Sequence, residues 1–118
     1  MKFERPKGFI GSLPRNWIDK NLPKCPFCKL PSLWEIATEF KLGLNRYHFR
    51  CPNCLAILSI PVAAIEGATT GLGLTGWLLG KTASKNLRIE SVGKNENLQH
   101  LVGSEFTLQT LQEWAKQT

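Results

Sequence analysis

Two matched pairs, Cys25-Pro26-Phe27-Cys28 and Cys51-Pro52-Asn53-Cys54, hold all four cysteines of the chain. A Cys-x-x-Cys turn sets two sulfurs on one side of a tight loop. A separation of about 20 residues lets the chain go out and return as a hairpin, so that the two turns face each other. Four thiolates then fill a tetrahedral coordination sphere, the pattern of a structural metal site with no open position for catalysis. Zinc is the expected ion, and iron, which suits the same four-sulfur set, is the lesser alternative. Disulfides or a redox dithiol pair compete with the metal. The N-terminus, Met1-Lys2-Phe3-Glu4-Arg5-Pro6, is charged and lacks the apolar stretch of a secretory leader. The expected location is therefore the reducing cytoplasm, where structural disulfides are rare.

At 118 residues the chain is one domain, or a small module with an appendage. Small domains often need a staple such as a metal ion, so a metal site would matter here. The net charge is +6, and it is uneven: residues 1–54 carry ten Lys/Arg against four Asp/Glu, and residues 55–118 carry five against five. A divalent ion held by four thiolates carries a formal charge of about −2, which Lys24, Lys29 and Arg50 offset in part. The remaining surplus suits a nucleic acid or an acidic partner.

Residues 1–24 read as an irregular arm, broken by Pro6, Gly8, Gly11, Pro14 and Pro23, with at most a short helical turn over 16–21. Residues 33–40 alternate as a strand, with Trp34, Ile36, Thr38 and Phe40 on one face and Glu35 and Glu39 on the other. Residues 41–45 make the turn. Residues 46–51 return with Tyr47 and Phe49 on one side and Arg46, His48 and Arg50 on the other. Residues 55–60 form a third strand, ending at Pro61. Residues 25–60, with Cys-Pro-x-Cys turns at both ends of a β-hairpin, resemble the zinc-ribbon superfamily over about a third of the chain. The resemblance implies a zinc ribbon over 25–61 with Cys25, Cys28, Cys51 and Cys54 as ligands, and it leaves function open. Such turns often place Gly directly after the second cysteine; here Lys29 and Leu55 stand there. Together with the basic charge, this departs from a rubredoxin-like pattern.

Residues 62–86 form a Gly-rich apolar segment. Its length over 62–80 would suit a membrane helix, but five glycines and Glu66 argue against a span. The expected role is a buried or flexible linker, or a self-association surface. Gly71-Leu72-Gly73-Leu74-Thr75-Gly76 fits a dinucleotide-binding glycine pattern, with Glu90 at a ribose-binding distance. No strand runs into it, however, and too little chain follows for a doubly wound sheet. Gly80-Lys81-Thr82 looks like the end of a phosphate loop, but Thr75 stands where its first glycine belongs. Residues 87–118 read as a strand-plus-helix appendage. It comprises a strand over 87–92, a turn over 93–97, a short apolar stretch over 98–102, and a helix Leu108–Lys116 capped by Thr107 with Leu108, Leu111, Trp114 and Ala115 on one face. This appendage is expected to pack as a second small layer. The fold class is thus a small α+β chain, with a three-stranded ribbon and a C-terminal strand-helix unit.

No spacing pairs a nucleophile with a base, so no enzyme activity is expected. His48, between two arginines, reads as a solvent-facing strand residue or a phosphate contact, and His100 as structural. The leading expectation is a nucleic-acid-binding module in which Lys29, Lys41, Arg46, His48 and Arg50 contact phosphates among interleaved aromatics. On the other reading those aromatics fill the core and the cations pair with Glu35 and Glu39. The rival function is protein interaction or self-association through residues 67–80 and the Trp114 helix.

Overall fold

A computed structural model describes residues 3–4, 12–37, 46–62, 64–65 and 85–117. Its centre is one antiparallel sheet of six strands in sequence order: β1 Phe3–Glu4, β2 Glu35–Ala37, β3 Arg46–Arg50, β4 Ile57–Pro61, β5 Leu87–Ser91 and β6 Glu105–Phe106. Helices α1 Ser12–Asn21 and α2 Leu108–Lys116 accompany it, and a 3-10 helix spans Glu96–Leu101. The α+β class read from the sequence is the one observed.

The β3–β4 register pairs Tyr47 with Ile60, His48 with Ser59 and Phe49 with Leu58. Strand alternation therefore puts Tyr47, Phe49, Leu58 and Ile60 on one face, and Leu87 and Ile89 of β5 extend it. These side chains are buried with Trp34, Ile36, Ile18, Leu22 and Leu111 in a single core. Trp34 donates its indole N–H to Leu22 O at 2.7 Å, so its polar end is satisfied inside that core. Ala64 and Ile65, just past β4, join the same core.

Two elements differ from the sequence reading. The arm is not irregular throughout, because α1 runs for ten residues. Pro14 lies in its first turn, where a missing N–H costs no helical hydrogen bond. Pro14, Ile18 and Leu22 follow at four-residue spacing and are all buried. Trp17 stacks on Phe49, with ring centroids 6.2 Å apart. The C-terminal unit is also not a second layer. β5 pairs directly with β4, across a register shift at Ile57/Leu58, and continues the same sheet. The short edge strand β6 had no signal in its two residues.

Helix α2 has the bounds expected of it. Thr107 Oγ1 accepts from the Thr110 N–H at 3.2 Å, a standard N-cap. Leu111 and Ala115 are buried, and Trp114 tilts against Phe106 at 4.8 Å. Gln112 Nε2 donates to Asn21 O at 3.0 Å, joining α2 to the end of α1. The turn at 41–45 and the glycine-rich stretch 67–80 lie outside the described residues. Among the described residues, no helix is long and apolar enough to cross a membrane.

Candidate metal centre

Each cysteine pair is built by the same hydrogen bonds. In the first turn the Lys29 N–H donates to Cys25 O at 2.9 Å and the Cys25 N–H to Leu30 O at 3.0 Å. In the second, the Leu55 N–H donates to Cys51 O at 2.8 Å and the Cys51 N–H to Ala56 O at 2.9 Å. Closing such a turn needs a left-handed residue after the second cysteine. Lys29 and Leu55 adopt it, with φ of 64° and 66°. Two non-glycine residues thus hold this position, at a strain of about 1–2 kcal/mol each.

The two turns bring the four sulfurs within 4.8 Å of one another. Cys25 Sγ lies 3.6 Å from Cys54 Sγ, and Cys28 Sγ lies 3.9 Å from Cys51 Sγ. A disulfide needs about 2.05 Å, and all four cysteines are free thiols. A tetrahedron of sulfurs with metal–sulfur bonds of about 2.3 Å has edges of about 3.8 Å. The observed separations lie on either side of that edge. The residues present therefore fit a metal ion, and the site is compatible with a zinc-binding knuckle. Cys25, Cys51 and Cys54 are buried, and Cys28 is half-buried.

The surroundings favour thiolate at this site. The Phe27 N–H donates to Cys25 Sγ at 3.4 Å. The Cys28 amide also supports Cys25, the Cys54 amide supports Cys51, and the Ala56 amide supports Cys54, each lowering the pKa of the sulfur it meets. The thiols nevertheless share protons. Cys25 is pushed far up, chiefly by donating to the Cys51 sulfur, then to Cys54, then by burial. Cys51 is pushed far down because it accepts from Cys25 and Cys54. Cys54 accepts from Cys25, which lowers it, but its bond to Cys51 and its burial raise it on balance. A cation in the centre replaces those shared protons, so metal binding must release them.

Sequence reasoning missed the groups behind the sulfurs. The turn after β5 leans on the second cysteine pair. The Lys94 N–H donates to Cys54 O at 2.7 Å, the Asn95 side chain supports the Cys54 sulfur, and Gly93, at φ 55°, packs on the Cys54–Ala56 backbone. Gly93 was legible as a turn residue, but nothing in its neighbourhood connects it to a cysteine 39 positions earlier.

The expected phosphate contacts fare differently from the cysteines. His48 is buried, not solvent-facing, opposite Ser59. Burial lowers the imidazole pKa, so it stays neutral. Arg46 donates to Ser59 Oγ at 2.9 Å and Ser59 O at 3.2 Å, and it sits 4.0 Å from Glu105. Arg50 makes a two-pronged bond to Glu35, both contacts at 3.2 Å, and lies 4.7 Å over the Phe3 ring. Arg88 pairs with Glu90 at 2.6 Å, and Ser59 Oγ donates to the same Glu90 oxygen. Arg46, Arg50 and Arg88 are thus matched on this face by Glu35, Glu90 and Glu105. The Lys29 ammonium bonds Pro26 O at 2.6 Å and Trp114 O, capping the last turn of α2. Lys41 lies outside the described residues. The structure gathers the four metal-ligating candidates and engages the described phosphate candidates within the fold. No protein-family model, curated protein or solved structure matches the chain.

Proposed function

We propose that this chain is a non-enzymatic binding module whose fold is held by one structural zinc ion and whose partner is anionic. The sulfur separations of 3.6 and 3.9 Å carry the metal half of the reading. Four protein ligands leave no coordination position for substrate, so the ion's role is mechanical. It ties the loop before β2 to the loop before β4, and through Cys54 to the turn after β5. A reducing compartment such as the cytoplasm keeps the thiols available for it.

The charge of +6 supports the anionic partner. Nucleic acid is the leading polyanion on electrostatic grounds. Contacts through Arg46, His48, Arg50 and Lys29 lose their support, because those groups already have partners inside the fold. Elemental analysis of protein purified without added metal tests the first half: one zinc per chain is expected, and sub-stoichiometric metal with four alkylatable thiols sinks it. Iron in place of zinc would correct the ion and leave the site. For the second half, binding to polyanions should weaken steeply as salt rises; no binding at low salt removes that half.

A further inference from the structure

Three exposed lysines gather away from that face. A groove of about 560 Å³ runs between the end of α1, the loop into the first cysteine pair, and the end of α2. Leu22 and Ala115 form part of its floor, both buried, with Pro23 and Pro31 beside them. Lys20, Lys24 and Lys116 also line it, from three different segments, and all three are exposed. Among the described residues no ion pair or hydrogen bond engages these three ammonium groups. Leu30 and Leu33, which flank Pro31, are 53% and 61% exposed and extend the apolar surface past the groove.

We infer that this groove docks an acidic, leucine-bearing peptide segment of a partner protein; the inference rests on the anionic-partner reading and names its site and occupant. The charge pattern selects the occupant. A second copy of the chain would bring a surplus of +6 against a lysine-lined groove, so like charges would meet. A nucleic acid finds poor support here. None of the described lining residues is aromatic, so bases have nothing to stack on. A peptide satisfies both parts, with apolar side chains on the floor and carboxylates on the lysine tips. The groove is also pre-organised, which lowers the cost of binding. The Ser32 N–H bonds Pro23 O at 3.0 Å, Lys24 pairs with Pro31 in a β-bridge, and Gln112 ties α2 to Asn21 O. Asn53 Nδ2 donates to Pro31 O at 3.0 Å, which joins the groove wall to the second cysteine pair.

The test uses the full zinc-loaded chain and a fluorescein-labelled peptide alternating Glu and Leu, with a Glu/Ser peptide and oligo-thymidine as comparison probes. The Glu/Leu peptide should bind more tightly than Glu/Ser. Its amide chemical-shift changes should cluster on residues 20–24, 30–33 and 112–116. Lys24→Glu with Lys116→Glu should weaken it by about tenfold. Lys85→Glu with Asn97→Glu and Gln99→Glu changes the net charge equally on exposed residues outside the groove and should change affinity by about twofold at most. Equal effects of the two charge changes overturn the site, as do shift changes elsewhere. Oligo-thymidine displacing the peptide from these amides, and binding more tightly, overturns the peptide occupant while the anionic-partner reading stands. No binding of any probe at low salt overturns both.

Discussion

Gly93→Ala probes the link between the C-terminal half and the metal centre. A Cβ there would lie 2.1 Å from Cys54 O, 2.4 Å from Leu55 C and 2.7 Å from Ala56 N. All three are backbone atoms, so no side chain can swing aside. The turn must withdraw by about 1.3 Å or more to reach ordinary contact distance. The Lys94 N–H bond to Cys54 O, at 2.7 Å, would then stretch beyond hydrogen-bond length. Left-handed strain on alanine costs about 1–2 kcal/mol, the lost bond about 1 kcal/mol, and the forced displacement about 1–3 kcal/mol. The total is about 3–6 kcal/mol. Gly103→Ala is the matched control. Its φ is 90°, and nothing lies within 4 Å of an added Cβ, so it should lose about 1–2 kcal/mol from conformation alone. At about 4 °C per kcal/mol for a chain of this size, calorimetry of the zinc-loaded proteins should show Tm drops of about 12–24 °C for Gly93→Ala and about 4–8 °C for Gly103→Ala. Chelator competition should also show zinc held about tenfold more weakly in the first variant only. Equal Tm losses in the two variants would refute the contact argument.

Four further outcomes follow from the geometry. Removing the metal with a chelator, or replacing Cys25 with Ser, should cost several kcal/mol and lower Tm by at least about 10 °C; an unchanged melting curve would mean the sheet stands without the ion. Leu55→Gly should raise Tm by a few degrees, because glycine removes about 1–2 kcal/mol of left-handed strain and loses only about 0.5–1 kcal/mol in chain entropy. Burial depresses the His48 pKa, so the unfolded chain binds a proton that the folded chain refuses. The stability from this neutral imidazole is full above about pH 6.5 and declines as pH falls below it. His48→Gln should flatten that part of the profile, read as urea midpoints at about pH 7.5 and 5.5 against wild type, with the thiol contribution common to both. Thr107→Ala should cost about 1 kcal/mol through loss of the α2 cap, with zinc affinity unchanged.

The cysteine spacing carried most of what could be read in advance. It located the four sulfurs and the hairpin between them, and the absence of Gly after each second cysteine marked Lys29 and Leu55, which prove to be left-handed. Strands β3, β4 and β5 and helix α2 were legible from alternation and capping, signals that act within a few residues. What escaped depended on distance. Helix α1 was hidden because Pro14 reads as a breaker unless it is known to sit in a first turn. The join of β4 to β5 crosses 25 residues, and neither strand's own pattern says which neighbour it takes. Gly93 and Asn95 serve the metal site only through that long-range pairing.

The charge was the least transferable signal, and the reason is specific. Counting cations on β3 pointed to a phosphate surface, since Arg46, His48 and Arg50 do share a face. The register then brings Glu35, Glu90 and Glu105 from three other strands to that same face, and burial keeps His48 neutral. Such pairs fix the register of neighbouring strands more than they attract ligands. The lysines lining the groove sit far apart in sequence, at 20, 24 and 116, and look like ordinary solvated residues until the two helix ends meet. Reversing Arg50 to Glu should therefore disturb stability more than binding: it would place two carboxylates opposite each other at Glu35 and lose the contact with Phe3. A stability loss of about 1–3 kcal/mol, with affinity for anionic probes changed no more than by Lys85→Glu, is the expected result. A collapse of binding in an otherwise stable Arg50→Glu protein would return the phosphate surface to β3.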